Sequence, residues 1–235
     1  MCKMTNDLCK MVLTFLSELL YNVKGDYMKT IIFDLDGTLW DTSDTVVRIW
    51  NEVLSVKCPK LKMSKEIMSS LMGKNKAQFT DEFFVGVEKD EAESLINEIF
   101  RSEQEYLIEH GANMYDGVIE TLNELKKDYA LAIVSNCQTG YMNAFLTHYQ
   151  LKCMFTDTEC AGSSPLSKGE NIKLLANRNG FEKAIYVGDT KSDENASKEA
   201  GLPFVYASYG FGEVENYVAK ITSFKEIKEV AKKIL

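Results

Sequence analysis

Residues 30–41 read T-I-I-F-D-L-D-G-T-L-W-D, and the order of residue types within them organises the rest of the chain. Ile31, Ile32 and Phe33 form an apolar run that predicts a fully buried strand. Without transition the chain then switches to Asp34, Asp36 and Gly37, followed by Thr38 and Asp41. Two aspartates spaced i and i+2 leave an extended strand on one face, where they can converge on one metal ion and one substrate atom. Gly37 permits the sharp turn that must follow. Alone, D-x-D-G is also consistent with a strand stopping in an acidic surface turn. An EF-hand calcium loop is excluded, because there the glycine comes sixth, whereas Gly37 follows Asp34 by three residues.

Working outward, residues 1–27 carry Val12, Phe15, Leu16, Leu19 and Leu20 as one helical stripe. Ser17 and Glu18 interrupt it, so it is too short to span a bilayer, and no small-residue cleavage site follows. Met28 lies directly before the strand, which leaves 1–27 as an extension of doubtful role or a packing helix. A chain begun at Met28 is expected to fold and stay soluble; a large loss of melting temperature would instead place the stripe in the core. After Asp41, a helix capped by Thr42 or Ser43 puts Val46, Ile49, Trp50, Val53 and Leu54 on one face. Further helices are expected over 64–72, 76–84 and 90–109, with breaks at Pro59, Gly73, Gly86 and Gly111 and no strand.

From Tyr115 onward the pattern alternates. Strands are expected at Tyr129–Val134, near Met154-Phe155, at Ala184–Val187 and at Phe204–Tyr206, each preceded by a helix. Such βαβ alternation predicts a parallel sheet with helices on both faces, and ligands bind at the carboxyl ends of its strands. Those ends carry Ser135-Asn136 and Gly188-Asp189-Thr190-Lys191-Ser192-Asp193. Lys168 lies just before a helix, where the dipole disfavours a cation, so it needs an anionic partner. Lys173, inside that helix, is expected to face solvent.

Composition limits what such a site can be. The 235 residues, 45% hydrophobic, can bury a sizeable core, and the formal charge of -8 argues against a nucleic-acid surface. An anionic ligand would be repelled by the whole and must be drawn by local cations. Cys2, Cys9, Cys58, Cys137, Cys153 and Cys160 contain no C-x-x-C pair, and the histidines are His110 and His148, which argues against zinc and for free thiols in a reducing cytoplasm. Cys137 and Cys160 fall near loops of the site.

The four elements D-x-D-G-T, Ser-Asn, Lys and G-D-T-x-x-D, in this order, resemble the motifs of the haloacid dehalogenase (HAD) superfamily over nearly all of 28–235. The resemblance implies an α/β fold, a Rossmann-like parallel sheet formed by 28–42 and 114–235, with an all-helical cap inserted at 43–113. It implies a Mg²⁺-dependent phosphatase of a small phosphorylated metabolite, akin to the phosphoglycolate phosphatases, cytoplasmic, with no nucleic-acid or membrane partner. By the same resemblance Asp34 is the nucleophile and Asp36 the general acid and base. Asp34, the Asp36 carbonyl and Asp189 ligate the metal, Asp193 supports it, and Thr38, Ser135, Asn136 and Lys168 meet the phosphoryl group. Gly169 departs from the proline that many relatives carry after the lysine. Substrate choice would rest on Gly73-Lys74-Asn75 in the cap. A sugar phosphomutase of the β-phosphoglucomutase type shares these motifs and is the nearest alternative, whereas a non-catalytic interaction protein on the same fold is disfavoured because no motif carboxylate is missing. Four site carboxylates carry four negative charges, against which Mg²⁺ and Lys168 supply three positive ones and a protonated Asp36 removes one negative.

Overall fold

The computed structural model of this protein describes residues 28–71 and 74–235; the expected stripe in 1–27 and the end of the 64–72 helix lie outside them. β1 (Lys29–Phe33) is central to a six-stranded sheet with β4 (Ala130–Ser135), β5 (Asp157–Cys160), β6 (Lys183–Gly188), β7 (Phe204–Ala207) and β8 (Ala219–Ile221), ordered β5-β4-β1-β6-β7-β8. Every pairing in it is parallel. A short antiparallel pair, β2 (Trp40–Asp41) with β3 (Asn113–Met114), closes the base of the segment between them.

The alternation of β1 explains the layers. Ile31 and Phe33 enter one core cluster with Leu122, Phe145 and Phe224, while Ile32 enters another with Ile172, Leu175 and Tyr186. The first face is covered by α5 (Val118–Leu125), α6 (Thr139–His148) and α9 (Ile227–Ile234), the second by α7 (Lys168–Asn179) and α8 (Lys191–Ala200). Because the chain runs from β1 to β4 on one side and reaches β6 on the other, the strand order reverses beside β1. A crevice opens at that point, at the carboxyl ends of the strands.

One expected strand is displaced. Met154 ends a turn in which its N donates to Leu151 O at 2.9 Å, Phe155 follows outside any strand, and the edge strand is the polar Asp157–Cys160. Apolarity misleads here because Phe155 packs into the core from just after the turn. The edge strand is instead satisfied through its side chains, with Arg178 bridging Asp157 and Glu159 at 2.6 Å each. β8 and α9 were not anticipated from the sequence.

Between β2 and β3 the described residues form α1 (Ser43–Lys57), α2 (Lys65–Leu71), α3 (Lys76–Phe83) and α4 (Lys89–His110), with a core of their own around Trp50, Leu54, Met68, Ile96 and Ile99. α4 also packs along α6, which ties this helical segment to the sheet layer. Trp50 meets Phe83 edge-on at 5.0 Å and donates its indole N–H to Glu103 Oε1 at 2.5 Å. None of the helices among the described residues is long and apolar enough to cross a membrane.

Glu103 is 4% exposed, and burial, opposed by the Trp50 hydrogen bond and assisted by the charge of Asp36, raises its carboxyl to about 8 from an ordinary 4.5. Between those values the folded protein holds a proton that the unfolded chain has released, so stability falls as pH rises through this window. Glu103→Gln, which keeps an acceptor for Trp50, should flatten the slope and stabilise the protein by about 1–3 kcal/mol at pH 7.5. Urea titrations from pH 5 to 8.5 read this directly, and parallel pH profiles for the two proteins would contradict it.

Candidate active site

The site begins where β1 ends. Asp34 N donates to Val187 O at 2.8 Å, extending the β1–β6 ladder by one residue and fixing Asp34 at the seam. The turn that follows depends on Gly37, whose φ is +78° and where a Cβ would stand 2.1 Å from Asp189 Oδ2. Glycine is therefore required twice, for the turn and for the approach of the second carboxylate.

Lys168 is the first residue of α7, where Ser167 and Glu170 form a capping box. Its missing partner is a pair of carboxylates: Nζ lies 2.8 Å from Asp34 Oδ1 and 2.5 Å from Asp193 Oδ1, with every side chain at most 4% exposed. The approach to Asp34 is an ion pair without hydrogen-bond geometry, and Asp34 Oδ1 is buried with no hydrogen-bond partner. Lys173 is solvent-exposed and reaches Glu199 at 4.0 Å. Gly169 fits a tight contact, since a Cβ there would lie 2.7 Å from Glu199 Cβ.

Asp193 does more than favour its helix dipole. Its Oδ2 accepts from Asp189 N at 3.1 Å, Thr190 N at 2.8 Å and Thr190 Oγ1 at 2.7 Å, while Oδ1 takes Lys168. One side chain thus shapes the turn bearing Asp189 and aims the lysine. Asp189 in turn accepts from Phe211 N at 2.8 Å and Thr38 Oγ1 at 3.4 Å. Thr38 is fully buried on Asp189 and does not line the pocket described below. Carboxylate oxygens of Asp34, Asp189 and Asp193 lie within 4.8 Å of one another. Three clustered carboxylates offer hard oxygen donors, a set that suits a small divalent cation such as Mg²⁺.

The Asp36 carboxylate goes elsewhere. Tyr141 OH donates to its Oδ1 at 2.7 Å and Thr42 Oγ1 at 3.1 Å. The Asp36 carboxylate is outside the cluster of three, which corrects the expectation that it meets the Asp34 carboxylate on one ion, although both residues line the same pocket; the strand ends at Phe33 and the turn follows. Thr42, expected as a helix cap, spends its hydroxyl on Asp36 and makes no side-chain cap. Tyr141 was not foreseen, because it reads as one more apolar residue of α6. Gly210 and Phe211 were also missed, although Gly210-Phe211-Gly212 follows a strand end as the other site residues do. A Cβ on Gly210 would come within 2.4 Å of Asp189 Cβ and of Gly37 O.

Burial governs the protonation of the cluster. It raises Asp34 to about 7 despite the opposing charge of Lys168, and Asp36 to about 6 despite hydrogen bonds from Tyr141 and Thr42. Asp189 is also raised, first by burial and then by the charges of Asp193 and Asp34. Burial alone would lower Lys168, but Asp193 and Asp34 outweigh it and hold it well above its ordinary value. The lysine stays charged.

A pocket joins these strand ends to the helical segment. Asp34, Asp36, Ser135, Asn136 and Cys137 line one side, and Val46, Met68, Phe79, Phe100 and Glu103 the other, around about 640 Å³ of empty space with its mouth included. Lys74 reaches the pocket too, paired with Glu82. Asn75 caps α3 in a box with Gln78. Gly73 lies outside the described residues.

The sequence model of the haloacid dehalogenase-like hydrolases matches residues 31–207. A phosphoglycolate phosphatase of Synechococcus elongatus is 28% identical over 82% of this chain and 89% of its own length. The pyrophosphatase PpaX of Bacillus velezensis is 29% identical over 73% of this chain and 79% of its own length. Among solved structures, a predicted phosphoglycolate phosphatase from Haemophilus somnus superposes with a TM-score of 0.76 at 22% identity, covering 88% of this chain and 99% of that one.

Lys168→Met should leave Asp34 and Asp193 buried without their cation and destabilise the metal-free protein by about 3–5 kcal/mol. Adding Asp193→Asn should recover part of that loss, since one of the two buried charges disappears. Denaturant titration in chelator measures both, and a loss near zero in the single variant would refute the bridging role.

Proposed function

The chain belongs to the haloacid dehalogenase-like hydrolase family, and on that premise we propose that it is a Mg²⁺-dependent phosphatase of a small phosphorylated metabolite, acting through an aspartyl-phosphate on Asp34. The observation that carries this reading is the separation of two carboxylates only two residues apart. Asp34 faces Lys168 with an oxygen free of hydrogen bonds, and Asp36 is held apart by Tyr141 and Thr42.

In the first step Asp34 attacks phosphorus as the bond to the leaving oxygen breaks, and Asp36, whose carboxyl burial raises to about 6, hands that oxygen a proton. In the second, ionised Asp36 takes a proton from water, which displaces phosphate from Asp34 and restores both side chains. Lys168 offsets negative charge on Asp34 and on the phosphoryl oxygens, and Ser135 and Asn136, at the pocket wall, bind those oxygens. Asp34, Asp189 and the Asp36 carbonyl would hold the cation, Asp193 supporting them and Thr38 fixing Asp189. When bound, Mg²⁺ supplies the positive charge that polarises the phosphoryl group. Covalent catalysis suits phosphate monoesters, among the slowest uncatalysed hydrolyses, because it divides one very high barrier in two.

The helical segment of 43–113 serves as the cap that closes over this site and contacts the leaving group. The domain assignment 28–42 with 114–235 as the catalytic core follows from the same reading.

Asp34→Asn should form no phospho-enzyme with any ester. Asp36→Asn should still react once with p-nitrophenyl phosphate, whose leaving group needs little protonation, giving a burst of about one p-nitrophenol per enzyme and then stalling. A rapid-quench time course with Mg²⁺ separates the two. A burst in Asp34→Asn, or a stall without a burst in Asp36→Asn, would show the roles to be wrongly assigned.

A further inference from the structure

The wall of the pocket opposite Asp34 is chemically unlike a site for a charged leaving group. Val46 and Met68 are buried apolar side chains, and Phe79 and Phe100 face each other edge-on at 6.3 Å. The space they face is open at its mouth to solvent. Two lysines also line it, yet both already have anionic partners: Lys74 with Glu82, and Lys76 with Glu93 at 2.5 Å and with Asn97 Oδ1 at 2.8 Å. Their side chains are 30% and 29% exposed, as befits a rim.

Glu103 is the buried polar group in that wall. Trp50 donates to its Oε1, and Glu103 is one of the residues lining the pocket. Its burial keeps it protonated at neutral pH, so it presents a hydroxyl donor and an acceptor with no charge. A carboxylate on the leaving group would lose its hydration beside this wall without gaining a counter-ion, and would be repelled if Glu103 ionised. A hydroxyl, by contrast, can be matched.

Building on the phosphatase reading, we propose that Glu103, with Phe79 and Phe100, selects a phosphate monoester whose leaving alcohol is uncharged and largely apolar and carries a second hydroxyl that bonds to the Glu103 carboxyl. Glu103 is then a specificity-determining residue, and phosphoglycolate, which carries a carboxylate, is a poor substrate. A site built to bond a hydroxyl discriminates strongly against analogues lacking it, because its own buried polar group is left unpaired.

Three esters test this on the full chain with Mg²⁺: 4-(hydroxymethyl)benzyl phosphate, benzyl phosphate and 2-phosphoglycolate. Values of kcat/KM should fall in that order, by about a hundredfold or more between the first two, where the hydroxyl is lost. Glu103→Leu should bring the ratio of the first two to about one, whereas Glu103→Gln should keep it, and Phe100→Ala should raise KM for both benzyl esters more than for phosphoglycolate. Calorimetric affinities of the same esters for Asp34→Asn protein should show the same order without turnover. Equal or better use of phosphoglycolate, or a uniform loss on all three esters in Glu103→Leu, would overturn the proposal. If Glu103→Leu fails to fold, the native order and the other two variants decide it. Phosphate release from none of the esters would refute the phosphatase reading, and the affinity order would still decide the pocket.

Discussion

The ammonium of Lys168, held between Asp34 at 2.8 Å and Asp193 at 2.5 Å, is the contact on which the centre of this molecule depends. Buried carboxylates in such proximity repel one another, and a buried cation is costly by itself; each is tolerable because the other is present. The contact ties the end of β1 to the starts of α7 and α8. It also makes the geometry of one motif a condition for the others, since Asp193 shapes the turn that carries Asp189 through three further hydrogen bonds. Tyr186 closes the cluster from below, its hydroxyl donating to Val134 O at 2.8 Å while its ring lies 5.7 Å from Lys168 Nζ.

Two neighbouring aspartates acquire different surroundings from that arrangement. Asp34 looks toward positive charge and Asp36 toward neutral hydroxyl donors, so one environment suits a nucleophile and the other a group that exchanges protons. Burial supplies the upward shift common to both. The Tyr141 hydroxyl that holds Asp36 comes from α6, the helix against which α4 packs. The helical segment and Asp36 therefore share a support.

The pocket separates two kinds of recognition. Its strand-end side is polar and charged, resembling the rest of the family in the motifs it uses. Its helical side combines aromatic and aliphatic side chains with Glu103 and, at the rim, Lys74 and Lys76. Those lysines are already paired with Glu82 and Glu93.

The sequence by itself determined the parallel sheet, the helical insertion and the motif carboxylates, because buried strands, helical stripes and polar strand ends are local patterns with fixed periods. The partner of Lys168 could also be demanded from sequence, since a cation at a helix start is unfavourable without one. What only the tertiary structure decided are the contacts made across distance: Tyr141 on Asp36, Phe211 N on Asp189, and the close approach at Gly210. None of these has a local signature, for a tyrosine in a helix stripe or a glycine after a strand is ordinary until its neighbour is known. The edge strand at Asp157–Cys160 was hidden for the same reason: its polar residues are satisfied by Arg178 on a distant helix, and periodicity carries no information about ion pairs between elements.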